Sequence, residues 1–510
     1  MSLKNYSVEL YLNDINLIGL RETWNKILNY CKSSSYNKDS GLLSVQNFGN
    51  LYELGLAHVN KSEKRENGVY YTPRDVVSVL ADNFIELKGS NICDVCCGVG
   101  NLIIGYLEKC GRRKALELLK KGCIYLYDMD DLAVEICKVS IGLNYGFKYI
   151  DNINCIIGDF LSDDIHLPDN SKVISNPPYY KIVSIPDSWK ETDVIKDSKE
   201  LYAAFMEKII IESKSSVLIT PFSFIGGDKF YSLRKLLNNY SGYIYSFDNV
   251  PGNIFKGKKH GVFNSNTSNA VRAAITVVNN VGEKGFCFTP LIRFSSAERD
   301  IVLNKSFLDS LLLDIKQTVN DKNKKYVKCF SSVYSIYESW VSYSSQTLGD
   351  LICNDKTDFC LCVPKTCRYY TSASVKALNR VGKSFLYFKD KETLEYVYCM
   401  LNSSFAYLYW RIFDGAINYS DSLLKSMPVF FNNLSFDDKC ALKDIASEMI
   451  LKEDSNMSYK KNASVLQENV KFDISYRRRL NSLLLKLIKS DSSEDVFDIV
   501  HSNSILTEGV

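Results

Sequence analysis

Ile92-Cys93-Asp94-Val95-Cys96-Cys97-Gly98-Val99-Gly100-Asn101-Leu102 reads as a short apolar strand that ends in an acid, turns through glycines and enters an apolar helical stretch. In a doubly wound α/β sheet such a loop lies at the carboxyl end of the first strand, where glycine lets a ligand approach the backbone closely. Gly98 and Gly100 are present without the third glycine of a dinucleotide fingerprint, and no Lys-Ser or Lys-Thr ending follows as in a phosphate-binding loop.

Two further strand candidates continue the pattern. Cys123-Ile124-Tyr125-Leu126-Tyr127 ends in Asp128-Met129-Asp130, which places Asp128 where a ribose would lie. Asn154-Cys155-Ile156-Ile157-Gly158 ends in Asp159-Phe160, a carboxylate to accept from an adenine amino group beside a ring to pack on its face. Each alone is an acid at a strand end, which a solvated turn also explains. The series, with a loop unsuited to phosphates, fits a nucleoside cofactor such as S-adenosylmethionine.

A fourth apolar run, Val173-Ile174, leads into Asn176-Pro177-Pro178-Tyr179. An exocyclic amine on a heterocycle is a poor nucleophile because its lone pair is delocalised into the ring. The side-chain oxygen of Asn176 and the carbonyl of Pro177 can each accept one N–H and localise that pair, a form of preorganised electrostatic stabilisation. The two prolines stiffen the turn, and Tyr179 offers a flat face for stacking. Asn-Pro is also common loop punctuation, so the preceding strands decide its meaning.

Together these residues resemble the motif series of the gamma-class N6-adenine DNA methyltransferases. Gly68-Val69-Tyr70-Tyr71-Thr72-Pro73 resembles that family's methionine-binding motif, and the resemblance assigns Tyr71 and Thr72 to the cofactor's methionine end. It implies cofactor-binding roles for Asp94, Cys97, Gly98, Gly100, Asp128, Met129, Asp159 and Phe160, and catalytic roles for Asn176, Pro177, Pro178 and Tyr179. Leu201 to Lys208 is similar to the family's helix beside the cofactor; Val217 to Pro221 and Phe230 to Leu236 are similar to the following strand and arginine-bearing helix. The resemblance also implies an aromatic residue across the target base from Tyr179, here Phe255, followed by Lys256, Lys258 and Lys259 as candidate phosphate contacts. Two departures are Val95 in place of the usual proline and a second thiol, Cys96, beside Cys97.

After the apolar run Ala273 to Val278 the composition shifts toward Ser, Tyr, Lys and Asn, without strict strand–helix alternation. Val363 to Tyr370 mixes basic and aromatic residues, and the run from Leu401 to Arg411 leads into Asn418-Tyr419 and Leu423 to Pro428. This pattern resembles type II target-recognition regions, and Arg368, Tyr369 and Arg411 are candidates for DNA contact. Phe405, Leu408 and Trp410, at near-helical spacing, read as core. Two basic runs, Lys322 to Lys328 and Arg477 to Arg479, are compatible with phosphate contact, although most such runs are solvated.

At 510 residues the chain can build two or three cores, and 46% apolar with 24% charged residues is ordinary for a globular protein. A net charge of +3 is too small to predict nucleic-acid binding by itself. No apolar segment reaches membrane-span length and no signal peptide is evident, so a cytoplasmic location and no membrane partner are expected. The sixteen cysteines then read as reduced thiols. Their spacing, with four histidines, gives no zinc pattern, and no metal is expected.

The expected architecture is an α/β, Rossmann-like S-adenosylmethionine-dependent methyltransferase sheet with a C-terminal mixed α+β target-recognition domain and a helical tail. Boundaries are expected at 1–60 (helical lead), 61–285 (catalytic), 286–430 (recognition) and 431–510 (helical). The resemblance implies adenine-N6 methylation of double-stranded DNA with base flipping, as an orphan enzyme or in a restriction-modification system whose endonuclease is a separate chain. A monomer or weak dimer is expected. Two other readings are a protein glutamine-N5 methyltransferase and a non-catalytic DNA-binding subunit.

Overall fold

A computed structural model describes residues 72–256, 271–414, 418–462 and 465–506. The expected helical lead, Tyr71, Lys258 and Lys259 lie outside the described residues, as does the side chain of Lys256.

The first compact unit is built on a sheet of the order β3-β2-β1-β4-β5-β7-β6-β8. Its strands are β1 (Asn91–Val95), β2 (Ile124–Asp128), β3 (Asn154–Ile157), β4 (Ser171–Ser175), β5 (Ser215–Pro221), β6 (Ser241–Phe247), β7 (Ala273–Asn279) and β8 (Gly285–Ile292). The pairs from β3 through β5 are parallel, while β7 runs antiparallel between β5 and β6. In β1, β4 and β5 nearly every residue is buried, as expected for strands covered on both faces. Strand order reverses at β1, which lies between β2 and β4, so the carboxyl ends of β1 and β4 flank a topological switch point, where open α/β sheets bind ligands.

Helices follow the same local logic. α1 (Arg74–Glu86) starts after Pro73 and buries the stripe Val76, Val77, Leu80, Ala81 and Phe84. α2 (Asn101–Lys109) starts at Gly100, and α3 (Arg112–Lys120) precedes β2. α4 (Asp131–Tyr145) is capped by Asp130, whose carboxylate accepts from the amides of Leu132 and Ala133 at 3.1 Å. α5 (Asp193–Ser198), α6 (Leu201–Glu212) and α7 (Tyr231–Leu237) complete the unit's longer helices. Lys172, buried on β4, donates to the carbonyls of Phe84 at 2.9 Å and Leu87 at 3.3 Å, and so ties the C-terminal end of α1 to the sheet.

Gly100 shows why the loop needs glycine. Its φ is +90°, and a Cβ there would lie 2.3 Å from Sγ of the buried Cys137. Gly100→Ala is therefore expected to destabilise the unit by roughly 2–4 kcal/mol, from left-handed strain and overpacking together. Urea unfolding checks this, and a change below about 0.5 kcal/mol would contradict the packing account.

The chain does not divide at 285 and 430. The first unit runs to residue 287 and also takes in 294–310 and 315–324. The second unit joins 288–293, 311–314 and 325–510. It contains α8 (Ser331–Tyr343), a hairpin of β9 (Phe359–Pro364) with β10 (Lys383–Phe388), α9 (Lys391–Asn402), α10 (Ser404–Phe413), α11 (Phe436–Leu451), a hairpin of β11 (Met457–Asn462) with β12 (Val465–Val470), and α12 (Ile474–Leu487). Residues after 430 share one core with those before it. Buried Glu453 accepts from Ser374 Oγ at 2.8 Å, the Val375 amide at 3.1 Å and the Tyr398 hydroxyl at 3.0 Å.

Phe405, Leu408 and Trp410 are core as expected, with Phe405 packed edge-on against Trp340 at 5.1 Å. His501 stacks on Tyr407 at 4.6 Å, donates from Nδ1 to the Tyr369 carbonyl and accepts from Ser404 Oγ at Nε2. Burial first, then the charge of Arg477, push its pKa down to about 3. The unfolded chain therefore gains a proton below about pH 6.5 that the folded chain refuses, so this group's stabilisation is present above 6.5 and is lost between there and 3. Acidifying from pH 7.5 to 5 is expected to lose up to about 2 kcal/mol from this group, and His501→Gln should flatten that slope in chemical unfolding.

Candidate active site

The residues singled out from the first, second and fourth strands gather at the carboxyl ends of β1, β2 and β4. The turn after β1 runs through Cys96 at φ 61°, Gly98 at 50° and Gly100 at 90°. The Cys97 amide donates to the Tyr127 carbonyl at 3.0 Å, and the Gly98 amide donates to Asp128 Oδ2 at 2.8 Å. Asp128 Oδ1 accepts from the Asp130 amide at 3.0 Å, so this carboxylate braces two backbone segments at once. Burial raises its pKa, while the hydrogen bonds from Asp130 and Gly98 pull it back down. Beside it the Met129 side chain is 72% exposed, an apolar surface next to the carboxylate.

Asp94 is fully buried. Its Oδ2 accepts from the Ile103 amide at 3.0 Å, whereas Oδ1 has no hydrogen-bond partner among the described residues. Burial pushes its carboxyl well above the usual range; the Ile103 hydrogen bond opposes this and the Asp128 charge adds to it. The Cys96 thiol is raised by burial and then by Asp128, Asp94 and Asp159, so three carboxylates act on this one loop. A ring of acids with an unsatisfied buried oxygen fits a ligand that carries positive charge and hydroxyl donors.

Other candidates sit differently from their expected roles. Phe160 is only 3% exposed, stacked on Phe205 at 5.7 Å and edge-on to Tyr127 at 5.5 Å, so it supports the site from the core and has no free face for an adenine. Cys97 turns its thiol inward toward Cys137 and contributes backbone rather than a side-chain ligand. Asp159 Oδ1 accepts from Leu161 N at 3.0 Å, and Oδ2 accepts from Trp189 Nε1 at 2.5 Å. Trp189 was not among the sequence candidates: it follows the Pro-Pro-Tyr turn with no local pattern, and only folding brings it to Asp159.

Asn176 stands just past β4. Its Nδ2 donates to Thr72 Oγ1 at 3.0 Å, and its Oδ1 accepts from the Tyr179 hydroxyl at 2.5 Å. That hydroxyl also lies 2.9 Å from the Ile219 carbonyl on β5. Pro177 is buried and Pro178 partly exposed. The ring of Tyr179 lies 6.0 Å from that of Phe255 at 62°. Two faces that sandwich a planar base need roughly 7 Å, twice an aromatic contact distance, so the pair would have to open slightly and align.

In the second unit, Arg411 is buried and donates to the Leu291 carbonyl at 2.7 Å, which removes it from the candidate phosphate contacts. Lys328 is likewise buried, donating to Ile412 O at 2.7 Å. Arg478 pairs with Asp498 at 2.9 Å and Arg479 with Glu448 at 2.8 Å, so this run is engaged by acids. Tyr369 is 46% exposed, and the carbonyls of Arg368 and Tyr369 are held by Arg293, Tyr407 and His501. No group of three or more potential metal ligands occurs among the described residues, and no helix among them is long and apolar enough to cross a membrane.

Three relatives put this geometry in context. The chain is 27% identical over 159 residues to the type I restriction enzyme MjaIX methylase subunit of Methanocaldococcus jannaschii, covering 30% of this chain and 26% of that protein. It is 27% identical over 201 residues to the type II methyltransferase M.VspI of a Vibrio species, covering 37% and 45%. A ribosomal protein L11 methyltransferase of Streptococcus agalactiae matches at 27% over 157 residues, covering 28% and 45%. The chain thus spans less than half the length of each of these three relatives. The sequence model of the N-6 DNA Methylase family matches residues 44–262, a span that includes the glycine turn, the three carboxylates, Asn176 to Tyr179 and Phe255. Over residues 44–262, less than half of its length, the chain is similar to the N-6 DNA Methylase family.

Proposed function

We propose that this chain is a site-specific, adenine-N6 DNA methyltransferase of the gamma class that uses S-adenosylmethionine. The observation that carries the reading is the joint placement of Asn176 and Tyr179 beside the carboxylate-braced glycine turn at the switch point of the sheet. Asp128 would hold the ribose hydroxyls with the lone pairs its backbone contacts leave open. Bound there, S-adenosylmethionine supplies an electrophilic methyl group.

The chain's own groups do the rest. A target adenine inside a duplex is out of reach, so the base must leave the stack. Tyr179 and Phe255 would take its two faces, and Asn176 Oδ1 with the Pro177 carbonyl would accept its two N–H groups. This aims the nitrogen lone pair at the methyl carbon, so orientation supplies much of the rate. As the N–C bond forms the S–C bond breaks, leaving the thioether S-adenosylhomocysteine, and the strongly acidic product ammonium loses its extra proton to water.

Arg368 and Tyr369 are the second unit's candidates for DNA contact, presented on a backbone that three side chains hold in place. The biological setting we infer is host-DNA modification in the cytoplasm, alone or with an endonuclease on another chain. The partial match to a methyltransferase named for a ribosomal protein keeps a protein substrate as the second reading; a glutamine amide nitrogen would pose the same lone-pair problem. The two flanking rings favour a heterocycle.

Purified protein given methyl-labelled S-adenosylmethionine and DNA tests the reading. Label is expected in N6-methyl-2′-deoxyadenosine after nucleoside digestion. Label confined to added ribosomal proteins would reject DNA as the substrate.

A further inference from the structure

Resting on the reading above, we infer that Thr72 is a positioning residue for Asn176, fixing which end of its amide faces the substrate nitrogen. An asparagine can present either its oxygen or its NH2 to the same point, and only the oxygen can accept a substrate N–H. Here the two ends of the Asn176 amide meet different partners. Nδ2 donates to Thr72 Oγ1 at 3.0 Å, and Oδ1 faces the Tyr179 hydroxyl at 2.5 Å. Thr72 is buried at 4% exposure, at the chain's entry into α1, so its hydroxyl offers a fixed acceptor.

The Tyr179 side cannot set the amide alone. A hydroxyl both donates and accepts, so it tolerates either amide orientation. It also has a second acceptor within reach, Ile219 O at 2.9 Å, and one proton cannot serve both oxygens fully. When a substrate N–H takes Asn176 Oδ1, the hydroxyl can turn to Ile219 O and Tyr179 keeps its place. Thr72 remains on the far side of the amide throughout. The Thr72 hydroxyl can donate as well as accept; in this arrangement it accepts from Nδ2, and that bond leaves Oδ1 turned to the other side. The role differs from contact with the methionine end of the cofactor, which the motif around Thr72 suggests, and the two separate by experiment.

Thr72→Val keeps the shape and removes the acceptor; Thr72→Ser restores the hydroxyl. Valine is expected to lower kcat by about 10- to 100-fold at saturating S-adenosylmethionine, the range that small misplacements of a reacting group produce. The Kd for S-adenosylmethionine should stay within about threefold, and serine should recover most of the lost kcat. A raised Kd with unchanged kcat would overturn the proposal and make Thr72 a cofactor contact. The same variants are compared by crystallography, which needs no substrate: Asn176 should turn or shift in the valine protein and hold its place in the serine protein. An unmoved Asn176 in the valine protein overturns the proposal. If the wild type methylates no DNA, the substrate reading fails by itself, and the crystallographic comparison still decides the role of Thr72.

Discussion

Asn176→Ala is expected to lower methyl transfer roughly 10²- to 10³-fold while leaving the fold and S-adenosylmethionine binding intact, the loss typical of removing one preorganised electrostatic partner from a transition state. The reason is specific to the position. Asn176 lies past the end of β4, outside the strand's hydrogen-bond ladder, so its removal breaks no sheet pairing. Tyr179 would keep its hydroxyl contact to Ile219 O at 2.9 Å and with it its ring position. The deficit should therefore appear in kcat, with little change in KM for DNA. Loss of cofactor binding or a large fall in melting temperature would show that Asn176 is structural.

Asp128→Ala should act on the other half of the reaction. Its carboxylate braces Gly98 N and Asp130 N, and the proposed ribose contacts add to these. Removing an anionic acceptor that serves backbone and ligand together is expected to cost roughly 3 kcal/mol of cofactor affinity, about a hundredfold in Kd. Calorimetry with S-adenosylhomocysteine measures this without turnover. Asp128→Asn, which keeps one acceptor oxygen, should fall between alanine and wild type. Unchanged affinity in the alanine variant would move the cofactor away from β2.

The parts of the site that could be read from sequence are those where local pattern and tertiary position coincide. β1, β2 and β4 are short and largely buried, and each carries the residue that bears the chemistry at or just past its carboxyl end, so Asp94, Asp128 and Asn176 could be ordered along the chain. Gly100 could be read for the same reason: its need for a positive φ and for the absence of Cβ arises within one turn.

What escaped the sequence depends on distant partners. Phe160 looked like an adenine platform, yet Phe205, on α6, covers it. Trp189 reaches Asp159 across thirty positions with no periodicity to announce it. Arg411 looked free beside aromatic residues, but every residue of α10 is buried, and its guanidinium is satisfied by Leu291 O, 120 positions away. A helix with no exposed face gives composition no means of separating a surface arginine from a core one.

Adenine methylation by this chain is tested by mapping N6-methyladenine in DNA from cells that express the wild-type chain, the Asn176→Ala chain or neither. A signal restricted to one short sequence motif is expected, present with wild type and absent from both controls. A wild-type protein that folds and binds S-adenosylmethionine yet leaves no such signal would contradict it.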